Sequence, residues 1–236
     1  MTPEQEKQLV ALSRQIVALY VEVKKHVVTS EKLSPGARVS VPALNELRNA
    51  FDHYMRAEAV WRHGVNPGQG AEQDPLKYCE KNLQKSLGHV YRAGYDALDI
   101  LALNRIRQIE KYVDSYRIST LHTVIADYAV RIRQSFEEGV QQCDGAKQGK
   151  DVEPERVDQH PVYFAEYKAS LEKLDSVLRV LHSYDKDLVA VEAEANAGDT
   201  RASKDYLKQR NWALIGIAAT VVTAIIAIIV TVRLAR

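Results

Sequence analysis

The chain has 236 residues, and its 32 basic and 31 acidic side chains leave a net charge of +1. That balance exerts no global pull on nucleic acid, so any RNA contact has to be local. Only 11 Gly and 7 Pro occur, no strand-like alternation is visible, and long 3.6-residue periodicities dominate, which predicts an all-α protein of one good-sized domain plus attachments. Cys79 and Cys143 form neither a CxxC nor a Cys/His cluster. They read as thiols of a reducing compartment, with no zinc site and no cofactor implied.

Five helices are predicted ahead of the C-terminal segment. The first starts at Thr2, where Pro3 and Gln5 complete a capping-box pattern, and its apolar stripe is Leu9, Leu12, Ile16, Leu19, Val23 and Val27. After a turn at Ser34–Ser40, the second runs from about Val41 to Arg62, with Leu44, Leu47, Phe51, Tyr54 and Trp61 as its core stripe. A Gly/Pro loop follows, and Asp74-Pro75 starts a third helix reaching about Tyr116. The fourth is expected from about Ser119 to Gln142, then a polar loop, then a fifth from near Pro161. Phe164, Tyr167, Leu171, Leu174, Leu178, Leu181 and Leu188 give that fifth helix heptad spacing, broken once by Asp185. Such a helix packs within a bundle or between chains, the former being favoured. Asn196–Ser203 is expected to be a hinge. The domains on this reading are 1–145 (helical bundle), 146–160 (polar loop), 161–203 (heptad helix and hinge) and 204–236 (juxtamembrane segment and anchor).

Trp212–Val232 carries no charge, and Lys208, Arg210, Arg233 and Arg236 flank it. About 20 apolar residues cross a bilayer, and Trp212 stands where an interfacial anchor belongs. The N-terminus has no signal-peptide pattern. The expectation is a tail-anchored, single-pass protein of the bacterial inner membrane with its soluble part in the cytoplasm. Gly216, Thr220, Thr223, Ala227 and Thr231 share one stripe of the span. Small and hydroxyl residues on one face favour close helix packing. The stripe therefore marks a homo-oligomer interface, whose hydroxyls can line a pore, or simply reflects the Ala/Thr content of such a span.

The second helix carries "RNAFDH", Arg48 to His53. With Leu44, Leu47, Phe51, Tyr54 and Trp61 facing the core, Asn49 and His53 point to the opposite face, and Arg48 and Asp52 lie on the shoulder. The bland reading is a solvated face with Arg48–Asp52–Arg56 ion pairs. Arg56/His63 and Arg117/His122 have similar spacing, but only Arg48 is followed by Asn. A second polar cluster on the third helix, His89, Arg92, Asp96 and Asp99, reads as a solvated face with an Arg92–Asp96 pair, which is favoured, or else as a partner surface or a shell supporting the motif. Gly88 and Gly94 in the same helix predict the close approach of another helix.

"RNAFDH" resembles the Arg-x4-6-His motif of HEPN domains, in the form where a polar Asn follows the Arg. The resemblance covers roughly the first 145 residues. It implies a HEPN-like helical bundle that dimerises and a composite, metal-independent endoribonuclease site. In that site His53 assists attack by the 2′-hydroxyl, Arg48 stabilises the phosphoryl charge and Asn49 orients it. The combination of such a motif with one span resembles the membrane accessory proteins of type VI, RNA-targeting CRISPR antiphage systems. That resemblance implies an effector that oligomerises in the membrane, permeabilises or depolarises it, and enhances the CRISPR effector nuclease. The partners so implied are the chain itself, the lipid bilayer, RNA and that nuclease. Permeabilisation is favoured slightly as the main output. A membrane-tethered ribonuclease and a non-catalytic coiled-coil adaptor are the alternatives.

Overall fold

A computed structural model describes residues 2–34, 40–66, 74–147 and 159–234, of which 211–234 are described for the backbone only. The described residues are helical without a strand: α1 (Pro3–Leu33), α2 (Val41–His63), α3 (Pro75–Val113), α4 (Ile118–Val124), a π-helical turn (Ala129–Gln134), α5 (Ser135–Lys147), α6 (His160–Ser183) and α7 (Asp185–Leu234). They divide into two compact units. One holds residues 1–115 and 125–183, the other 116–124 and 184–236.

Local chemistry sets the helix ends. Thr2 and Gln5 form the reciprocal capping box on α1. Ser40 and Asp74 accept backbone N–H groups at the starts of α2 and α3. Gly64, at φ +62°, ends α2 in the left-handed conformation that glycine adopts without steric cost. The expected fourth helix is interrupted. Asp127 takes φ +57°, its carbonyl accepts from the N–H groups of Val130 and Arg131, and a π-helical turn leads into α5. The expected hinge at Asn196–Ser203 is continuous helix, and the break falls at Tyr184 instead.

In the first unit, α3 is the axis. Asn104 reaches the carbonyl of Leu33, and Gly94 lies against Val23, so α1 and α3 run parallel. Gly94 against Phe164, Arg105 with Asp175, and Tyr112 with the carbonyl of Leu181 place α6 parallel to α3 on another side. Cys143 with Ser170 and Lys173 with Glu138 set α5 antiparallel to α6. The heptad row of α6 is therefore spent inside the unit, with Phe164, Tyr167, Leu174 and Leu181 buried. Phe164 meets Tyr91 and Tyr95 edge-on at 5.6 Å each, the geometry aromatic quadrupoles prefer.

The orientation of α2 differs from the sequence expectation. Its buried residues are Ala43, Ala50 and Ala57, while Phe51 is 65% and Leu44 44% exposed. The contacts Ala57–Cys79, His53–Asn82, Ala50–Ser86 and Glu46–His89 set α2 and α3 antiparallel. Small residues at a spacing of seven on both helices let the backbones approach closely, and the Ser86 hydroxyl donates to the Ala50 carbonyl at 2.8 Å. Side chains the size of Leu or Phe do not fit that seam. They turn toward α1, where Val17, Tyr20, Leu44, Phe51 and Met55 line a groove of about 560 Å³.

In the second unit, Glu192 of α7 holds α4. It accepts from the Thr120 hydroxyl and the Arg117 backbone N–H and pairs with the Arg117 guanidinium, which also reaches Asp199. Among the residues whose side chains are described, no helix is long and apolar enough to cross a membrane. Trp212–Val232 and the stripe Gly216, Thr220, Thr223, Ala227 and Thr231 lie outside them.

The two glycines singled out in α3 give opposite expectations. A Cβ at Gly94 would stand 2.6 Å from the Phe164 ring and 3.0 Å from Val23. Gly94→Ala should destabilise the fold by about 1–2 kcal/mol, the strain of overpacking exceeding the gain in helix propensity. A Cβ at Gly88 meets nothing within 4 Å, so Gly88→Ala should stabilise by up to about 1 kcal/mol. Thermal melts followed by circular dichroism check both, and equal shifts in the two variants would refute the packing account.

Candidate functional site

The antiparallel register of α2 and α3 brings together four polar side chains, in two pairs that cross the seam. His53 of α2 bonds through Nδ1 to Oδ1 of Asn82 on α3 at 2.9 Å. His89 of α3 bonds through Nδ1 to the Glu46 carboxylate on α2 at 2.7 Å. Each helix thus contributes one histidine and one residue that holds the other's histidine, seven positions apart. The two imidazoles stack with centroids 5.3 Å apart and planes 13° from parallel. Arg92, one turn beyond His89, donates through Nε to the same Glu46 oxygen at 3.0 Å.

The hydrogen bonds fix the tautomers. The Asn82 amide nitrogen donates to the Tyr78 carbonyl at 2.9 Å, so its oxygen faces His53 and has to accept. The proton of neutral His53 therefore sits on Nδ1, and Nε2 keeps its lone pair. At His89 the ionised carboxylate of Glu46 is acceptor only, which again places the proton on Nδ1. Arg92 Nη2 also lies 2.8 Å from His89 Nδ1. Two donors cannot pair, and the shared Glu46 oxygen holds both in place.

Charge follows from this arrangement. Burial works against the Glu46 carboxylate, but the hydrogen bonds from His89 and Arg92 outweigh it and hold its pKa below the ordinary 4.5. Burial pushes the His89 pKa below the ordinary 6.5. The Glu46 hydrogen bond opposes this, and the charge of Arg92 adds to it. Near neutral pH the site is therefore a carboxylate, a guanidinium and a neutral His89 beside His53.

The residues expected from "RNAFDH" divide. His53 does not point away from the core. It is half-buried at the edge of the α2–α3 seam, because the alanine face rather than the Leu/Phe stripe turns inward. Asn49 lies one turn before it, also half-buried. Arg48 is exposed, about 140° around the helix from His53, at the apolar groove. Within one protomer Arg48 and His53 therefore do not converge. Asp52 pairs with Arg56 at 2.8 Å, as a solvated face would. Arg117 of the alternative Arg/His spacing is engaged by Glu192 and Asp199. On α3, Arg92 pairs with Glu46, and Asp99 accepts from the Tyr167 hydroxyl. Glu46 and Asn82 were not singled out in the sequence. Their signal was the spacing of seven to a histidine, Glu46/His53 and Asn82/His89.

Comparison with protein-family models, with curated proteins and with solved structures found no match to this chain.

The site predicts an acid-sensitive fold. Glu46 and His89 both have folded-state pKa values below their ordinary ones, so the unfolded chain binds more protons, and stability rises with pH across both windows. The Glu46 contribution is present above the ordinary 4.5 and is lost as pH falls through its lower folded value. For His89 the penalty begins as pH falls below the ordinary 6.5. Melting temperature should therefore drop from pH 7 to pH 4. Glu46→Gln should destabilise by about 1–3 kcal/mol at pH 7, since it weakens the acceptor shared by His89 and Arg92, and should flatten the acid limb. A Glu46→Gln variant with an unchanged pH–stability curve would show that the cluster contributes nothing.

Proposed function

We propose that the chain is a membrane-tethered ribonuclease of the HEPN type, serving antiphage defence. Its soluble helical unit would cleave RNA by attack of the 2′-hydroxyl on the adjacent phosphate, and residues 212–232 would hold it at the bacterial inner membrane. One observation carries this reading. His53 of the "RNAFDH" motif is held in a single tautomer by Asn82, at a half-exposed position beside a second imidazole and a guanidinium. Cleavage of this kind needs groups that move protons near neutral pH and a positive charge for the phosphate, and the cluster contains both. The bundle, the motif and the exposed Arg48 also fit a homodimer in which Arg48 of one copy approaches His53 of the other.

Permeabilisation of the bilayer, favoured slightly on sequence alone, rests on the stripe from Gly216 to Thr231. The histidine cluster is instead present in the described fold, and it moves the balance to RNA cleavage. In the same reading the chain assembles with itself and works alongside an RNA-targeting CRISPR effector nuclease. Its own reaction calls on side chains alone and no cofactor.

The test uses full-length protein carrying His53→Ala, in cells under phage challenge, with total RNA and membrane potential both followed. The expected result is wild-type RNA fragments ending in 2′,3′-cyclic phosphate, and their loss together with protection in the variant, by about 10²–10⁴-fold in rate for purified protein. Depolarisation without RNA cleavage would establish the permeabilising reading instead. Undiminished protection by the His53→Ala variant, with membrane potential unchanged, would leave only a non-catalytic adaptor.

A further inference from the structure

The HEPN resemblance supplies one histidine per chain, yet the fold holds two in one protomer. Each imidazole has its Nδ1 occupied by a residue of the opposite helix, Asn82 for His53 and Glu46 for His89. Each therefore has Nε2 turned away from that partner and able to exchange a proton, with Arg92 Nη2 3.5 Å from Nε2 of His89, at the edge of hydrogen-bond reach. The supports differ in kind. Glu46 is a carboxylate, and a carboxylate on Nδ1 orients an imidazole as a base and stabilises the imidazolium it becomes. Asn82 is a neutral amide, which gives no such charge stabilisation to His53. The near-parallel stack at 5.3 Å sets the rings side by side, so that one can face the entering oxygen of an in-line displacement and the other the leaving oxygen. The seam enforces this spacing, because each ring is tied to the helix opposite its own.

We propose that His89 and His53 form an acid–base pair within one protomer, with His89 the general base that takes the 2′-hydroxyl proton and His53 the general acid that protonates the 5′-oxygen of the RNA. This assignment rests on the ribonuclease reading and deepens it. In the step, the 2′-oxygen–phosphorus bond forms as His89 Nε2 accepts the proton. The phosphorus–5′-oxygen bond breaks as His53, which enters the step as the imidazolium with Nδ1–H on Asn82 and a second proton on Nε2, delivers that Nε2 proton. The products are a 2′,3′-cyclic phosphate and a 5′-hydroxyl, and proton exchange with water resets both rings. Glu46 and Asn82 are positioning residues for the pair, and Arg92 keeps a cation beside it. The burial of His89, which favours its neutral form, agrees with its role as the base.

The experiment compares full-length, detergent-solubilised wild type, His53→Gln and His89→Gln on two oligonucleotides. One is ordinary RNA, and the other carries sulfur in place of the 5′-bridging oxygen. Glutamine still donates a hydrogen bond to Asn82 or Glu46 but shuttles no proton, and a thiolate leaves without protonation. The expected result is a loss of about 10²–10⁴-fold in both variants on ordinary RNA. His53→Gln should recover most of its rate on the sulfur substrate, and His89→Gln none. Recovery in His89→Gln, in both variants or in neither overturns the assignment. Absence of cleavage by the wild type removes the ribonuclease reading itself. A readout on unmutated protein guards against variants that fail to fold. Nitrogen-15 shifts should place both imidazoles, when neutral, in the Nδ1–H form, and a neutral Nε2–H tautomer at either ring overturns the pair.

Discussion

The constraint on which the candidate site depends is the close approach of α2 to α3. Ala43, Ala50 and Ala57 of α2 are buried, and Cys79 and Ser86 face them across the seam. A seam of small side chains gains less from apolar area than one of leucines would, since burial energy scales with the area removed from water. Its return is geometric. With the helix axes drawn together, side chains on the margin of one helix reach acceptors on the other, and the register is pinned at several points along the seam. Larger apolar side chains are buried elsewhere, among them the aliphatic row of α1 and the aromatic rings of Phe164, Tyr91, Tyr95 and Tyr167 where α6 meets α3.

Two consequences follow for the polar cluster. Asn82 is buried, and the other members sit half-buried at the edge of the seam, where desolvation is sufficient to shift the ionisation of His89 and Glu46 but water still has access. And each hydrogen bond crosses between helices, so the cluster reports on the register as much as it depends on it. A slide of α2 along α3 would part all the pairs at once. A buried ionic group held this way contributes specificity of alignment as well as whatever chemistry it performs, a use of polar groups also seen in helical assemblies where one polar position fixes register.

Much of the fold was legible in the sequence. The all-helical class, the capping box at Thr2, the starts at Val41 and Pro75 and the stripe on α1 follow from local signals that act over a few residues, and the structure agrees. The facing of α2 was not legible. Ranking side chains by hydrophobicity selects Leu44, Leu47 and Phe51 as core, whereas a tight helix pair selects alanine, and only the partner decides which rule wins. The break at Asp127 was hidden because aspartate tolerates the left-handed region without advertising it as glycine does. The site was half visible. "RNAFDH" and the His89/Arg92 cluster were each apparent, although a solvated face was the favoured reading of the second and a supporting shell only one of its alternatives. What joined them, the pairing of Glu46 with His89 and of His53 with Asn82, is a matter of register between helices separated by a loop, which no local pattern encodes.

The unbroken run of α7 has a mechanical meaning of its own. At 1.5 Å per residue, the 50 residues from Asp185 to Leu234 form a strut about 75 Å long. A helix resists stretching because lengthening it breaks backbone hydrogen bonds, so the strut fixes the distance between whatever is attached at its two ends. A flexible tether lets its cargo sample a volume, whereas a strut confines that cargo to a shell. A helix also carries rotation along its axis, so a turn imposed at the Leu234 end would arrive as a turn of the same sense near Glu192, where Arg117 and Thr120 grip it.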